Sequence, residues 1–81
     1  MSEINYRKIL ADNIRNYRAN NKISRFKLSV ALDLDNATLS AIENEQANVR
    51  INTVEKIASY MGLTIAEMFT ENYVKSDSEN L

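Results

Sequence analysis

The chain has no cysteine, no histidine, no proline, no tryptophan and a single glycine among its 81 residues. Without cysteine there is no disulfide framework, no thiolate nucleophile and no zinc–cysteine site. Without histidine, the commonest general base and the commonest imidazole metal ligand are missing. No glycine-rich phosphate loop and no paired-acid motif takes their place. Composition therefore disfavours an enzyme, and no cofactor or metal is expected. Without proline, and with one glycine, a turn-rich β-sandwich is equally disfavoured. No run of apolar residues exceeds three, so no segment is long enough to span a bilayer and no membrane partner is expected. Met1-Ser2-Glu3 is not the basic-then-apolar opening of a signal peptide, which makes the cytoplasm the expected compartment.

What is present is 44% apolar and 26% charged, ordinary proportions for one small globular domain. A chain of this length buries only about 60% of its unfolded surface, which leaves no core for an appended ligand-binding domain. Net charge is −1, but its distribution is uneven. Residues 1–22 carry five basic and two acidic groups, residues 23–62 four and five, and residues 63–81 one and four. The acidity is concentrated at the C-terminus, so overall charge does not exclude a local basic face for nucleic acid.

Periodicity points to helices joined by short polar loops. Tyr6, Leu10, Ile14 and Tyr17 fall on one helical face. Ala19-Asn20-Asn21-Lys22 ends that helix, with Asn suited to the left-handed cap and Ile23 packing behind it. Ser24 is an N-cap for a two-turn helix that turns Leu28, Ala31 and Leu32 inward. Asp33-Leu34 separates it from a third helix capped by Asp35, with Leu39 and Ile42 inward. Residues 43–48 read as the longest internal loop. Ile51, Val54, Ile57, Ala58 and Met61 form a fourth amphipathic stretch, closed by Gly62 and followed by Leu63. Thr64 and Glu67 have capping-box spacing and open a short fifth helix. Residues 70–81 read as an acidic, flexible tail. Ser24–Asn44 then has the spacing of a helix-turn-helix, whose second helix fits a major groove roughly 12 Å wide.

On these residues the chain resembles the lambda-repressor/Cro-type (XRE) helix-turn-helix family over residues 10–69. The matching landmarks are Leu10, Ile14 and Arg18, then Ile23-Ser24, Leu28 and Leu32. Thr38, Leu39, Ser40 and Ile42-Glu43-Asn44 match the end of the recognition helix. Thr53, Ile57-Ala58, Gly62-Leu63 and Glu67-Met68-Phe69 match the rest. The chain departs from the pattern at Arg25 for the usual Gln, Ser29 for Ala, Asp33 and Glu45 for Gly, and Val49 for a common Pro. Asp33 occupies a position expected to need positive φ.

The resemblance implies an all-α, five-helix, lambda-repressor-like DNA-binding domain over residues 1–69. It implies that Asn36, Ala37, Thr38, Ser40 and Ala41 face base edges, and that Arg25, Asn44 and Arg50 hold phosphates of double-stranded DNA. It also implies a structural ion pair between Arg18 and Glu43. The function it implies is a transcription regulator acting as a homodimer on a palindromic or pseudo-palindromic operator, either a small prophage regulator or a restriction-modification controller. Apolar content at the C-terminal end places the dimer contact at Ile65, Met68, Tyr73 and Val74. Phe26 is expected either to fill a gap against a neighbouring helix, the favoured reading, or to belong to an interface. An antitoxin-type interaction module with a toxin as partner is the alternative on the same fold.

Overall fold

Residues 3–71 are described in the computed structural model. Among them the chain forms five helices and no strand. These are α1 (Tyr6–Asn21), α2 (Arg25–Leu32), α3 (Asn36–Glu43), α4 (Ile51–Met61) and α5 (Ile65–Met68).

One stop signal recurs at four helix ends. Lys22, Asp33, Glu45 and Gly62 all have left-handed φ, at 54°, 57°, 63° and 72°. After each, the next residue's N–H reaches back five positions: Ile23 to Arg18, Leu34 to Ser29, Gln46 to Ala41 and Leu63 to Ala58, each at 2.9 Å. These bonds satisfy carbonyls that a helix end leaves open. Ile23, Leu34 and Leu63 then pack on the core, so each stop also fixes the angle at which the chain leaves. Only one of the four uses glycine; the others carry the steric cost of a Cβ in this region. At the end of α1 it is Lys22, not an asparagine, that adopts the left-handed conformation.

The start signals are equally local. Ser24 accepts from the Lys27 N–H, and Thr64 and Glu67 complete a reciprocal capping box. Asn5 caps α1 by accepting from the Lys8 N–H. Asp35 stands at the N-cap of α3 with extended backbone, but its side chain makes no capping hydrogen bond.

The core is Leu10, Ile14, Leu28, Leu32, Leu39, Ile42, Ile57, Ala58 and Met68. It draws on all five helices, so α3 is held by α1 and α2 together. Three expectations are corrected here. Met68 is 0% exposed, and its whole side chain is used in the core, so it has no surface to offer a dimer contact. Ala31 is exposed, because the helix turns Ser29 inward instead. Phe26 is 66% exposed, so it is not buried against a neighbouring helix. Ser29, small enough for the helix crossing, donates to the Phe26 carbonyl at 2.6 Å. Ile65 is half-buried, and Phe69 packs on the core with its ring edge-on to Tyr6 at 5.8 Å. Tyr73, Val74 and nearly all of the expected flexible tail lie outside the described residues.

Candidate nucleic-acid interface

The tight turn at Asp33 brings α3 out of α2 after only three residues, with its N-terminal turn at the surface. Asn36, Ala37 and Thr38 are exposed there, while Ser40 and Ala41 are half-buried. The helix carries no lysine or arginine. Its surface therefore offers an amide, methyl groups and hydroxyls, the groups that read base edges without net charge. Asn44 donates its side-chain amide to the Ser40 hydroxyl at 3.3 Å, so two of the expected contacts are linked to each other.

The other end of α3 is anchored electrostatically. Arg18 Nε lies 2.8 Å from one Glu43 carboxylate oxygen and Nη2 lies 2.8 Å from the other. This is the fork-to-fork geometry in which guanidinium and carboxylate match best. Glu43 is 2% exposed and Arg18 22%. The Glu43 hydrogen bond raises the Arg18 pKa above its ordinary value, and burial opposes it. Arg18 also donates to the Ile23 carbonyl at 3.3 Å, tying the pair to the entry of α2.

Arg25 opens α2 on the same cluster. Its Nη1 is 3.8 Å from Glu43 Oε1, and its Nε is buried without a hydrogen-bond partner. The side chain is 39% exposed, so the guanidinium rests between Glu43 and solvent. Arg50 is exposed at the N-cap of α4, where its carbonyl accepts from Thr53 and Val54. That helix start presents N–H groups and a cation together, a combination suited to an anion.

Three residues outside the sequence reading also shape the site. Arg15 donates to the Glu43 backbone carbonyl and, at 2.6 Å, to Asp12. Arg7 donates to the Ala47 carbonyl at 3.2 Å and to the Asn48 side-chain oxygen. The signal available for both was their spacing along α1 with Arg18, which keeps all three within one broad face. Asn13 is buried and donates to the Met68 and Thr70 carbonyls at 2.7 and 3.1 Å, fastening the end of α5 to α1. Lys8 lies 2.7 Å from Asp12. The Lys8 hydrogen bond holds the Asp12 carboxyl below its ordinary value, against burial and with help from Arg15. The same bond raises Lys8, with smaller contributions from the charges of Glu45 and Glu71.

A two-turn helix, a left-handed turn and a second helix with an exposed first turn define a helix-turn-helix protein. The pattern of the Cro/C1-type helix-turn-helix DNA-binding domain matches residues 13–72. The chain belongs to this family. It is 35% identical over 49 residues to control protein C.MunI from a Mycoplasma species, covering 60% of this chain and 66%, just under two thirds, of that one. It is 25% identical over 71 residues to control protein C.SmaI from Serratia marcescens, covering 88% and 84%. The crystal structure of the hypothetical transcription factor NHTF from Neisseria superposes with a TM-score of 0.77 at 28% identity, covering 83% of this chain and 77% of that one. The SOS-response repressor LexA from Eubacterium rectale also gives a TM-score of 0.77, covering 100% and 86%. At 15% identity that likeness concerns the fold alone.

Proposed function

We propose that this protein is a sequence-specific transcription regulator of the restriction-modification controller type, binding a palindromic or pseudo-palindromic operator as a homodimer. The observation that carries the reading is the first turn of α3. It exposes Asn36, Ala37 and Thr38 on a helix whose far end is locked to the body by Glu43 and Arg18. Asn36 pairs with adenine, Ala37 and Ala41 meet thymine methyl groups, and Thr38 and Ser40 supply hydroxyls. Arg25, Asn44 and Arg50 hold phosphates and set the register. Likeness to two proteins named as control proteins supports the controller type.

One such module covers a small DNA surface, and a two-fold dimer reads two half-sites about 34–36 Å apart. Ile65, with Tyr73 and Val74, forms the self-complementary contact. Selection of bound duplexes from a random pool, followed by sedimentation of the complex, tests the proposal. The expected result is an enriched inverted repeat carrying two protein chains. No enrichment, together with a stable stoichiometric complex that silences an enzyme, would favour the antitoxin-type reading instead.

A further inference from the structure

Residues 44–50, between α3 and α4, contain neither proline nor glycine, and Glu45 is held in left-handed backbone. At the start of the loop, Glu45 and Gln46 donate back to Ile42 and Ala41. On either side of these bonds α1 reaches across. Arg15 takes the carbonyl of Glu43, the last residue of α3, and Arg7 takes the Ala47 carbonyl and the Asn48 side chain in the middle of the loop. The two arginines are eight residues apart, about 12 Å along the helix axis. A rigid helix thus fixes the middle of the loop relative to the end of α3.

We propose that Arg7 and Arg15 are positioning residues for DNA binding: from α1 they hold the last residue of α3 and the middle of the loop that follows it, the segment that presents Asn44 and Arg50 to phosphate. The inference rests on the DNA-binding reading above. The Arg7 guanidinium is engaged with the loop and the Arg15 guanidinium with the end of α3 from which the loop departs, and so both act through that segment. Their effect is to order the loop before DNA arrives, so that association does not carry the entropy loss of ordering it. Glu45 sits in the same loop, and its charge acts on Lys8, the neighbour of Arg7 on α1.

The test is a double-mutant cycle on the full chain, titrated against the tightest duplex selected from a random pool. Arg7→Met and Asn48→Ala should each weaken binding about tenfold, within the coupling range of residues in contact. The double variant should be no weaker than either single one. Melting by circular dichroism should stay close to wild type, and the slope of affinity against salt should be unchanged. A phosphate ligand would behave differently, since its loss lowers the slope by about one. Arg15→Met should likewise weaken binding with no change of slope. Wild-type affinity in Arg7→Met, multiplying losses in the double variant, or a lowered slope would each overturn the proposal. If wild-type protein binds no selected duplex, the DNA-binding reading fails first, before any variant is made.

Discussion

Replacing Glu43 by glutamine tests the anchor of the reading helix. The carboxylate accepts from both Nε and Nη2 of Arg18 at 2.8 Å and faces Arg25 at 3.8 Å. Glutamine has the same shape, but one of its two polar atoms becomes an NH₂ donor facing a guanidinium. Arg18 then keeps its charge in a place where its partner has lost its own. Breaking a fully buried pair costs about 3–5 kcal/mol, because the remaining charge stays desolvated. Arg18 is 22% exposed and retains some water, which moves the expected cost to about 2–3 kcal/mol. Against a total of about 4–12 kcal/mol for a chain of this length, that is a large fraction. Thermal unfolding should fall by roughly 10–20 °C. Urea titration should show a lower midpoint with unchanged m, since the surface exposed on unfolding is the same. The double replacement Arg18→Met with Glu43→Leu removes both charges and should cost much less than Glu43→Gln alone. A loss below about 0.5 kcal/mol in Glu43→Gln would place the pair with ordinary surface contacts and refute the argument.

Asn13→Ala leaves the Met68 and Thr70 carbonyls without their shared donor and should cost about 1–3 kcal/mol, read by urea unfolding. Asp12 has a folded pKa held below its unfolded value by Lys8 and Arg15, so its stabilisation is present above the ordinary carboxyl pKa and is lost as pH falls through the depressed value. Asp12→Asn should therefore lower stability near neutrality only slightly, because the pair is exposed, and should reduce the acid-induced loss below about pH 4 in a pH series of urea melts. Arg25→Ala should leave unfolding nearly unchanged, weaken binding to all duplexes by a similar factor and lower the salt slope by about one, measured by titration at several salt concentrations.

The features legible from residue type and spacing alone are those set within a few residues; the Arg18–Glu43 pair, 25 residues apart, is implied only by the family resemblance. Ser24, Gly62 and the Thr64–Glu67 box each act on backbone groups one turn away, so residue type and spacing suffice to locate them. Asp33 is legible for a different reason: comparison with a related pattern marks its position as one that wants glycine. Lys22 is not legible, because lysine has no special tolerance for left-handed backbone; there the position of Ile23 over the core dictates the conformation. Helix α2 shows the limit of periodicity. Over eight residues an inward Ala31 and an inward Ser29 fit nearly as well, and packing against its neighbours selects Ser29. Met68 reads as a surface residue when one short helix is counted as burying little, whereas α5 drives that side chain into the centre of the core. The roles of Arg7, Arg15 and Asn13 depend on partners 28 to 57 residues away; spacing along α1 places the two arginines on one face but does not name those partners.

The central claim is that the first turn of α3 reads base sequence. Its most direct test is a titration of the selected duplex against a scrambled duplex of equal length, at one fixed near-physiological salt concentration. The account predicts that the selected duplex binds at least about 10³-fold more tightly. It further predicts that Asn36→Ala lowers this preference by roughly 1–3 kcal/mol, confined to one base pair of each half-site. Equal affinity for the two duplexes, or no binding of either at micromolar protein, would contradict it.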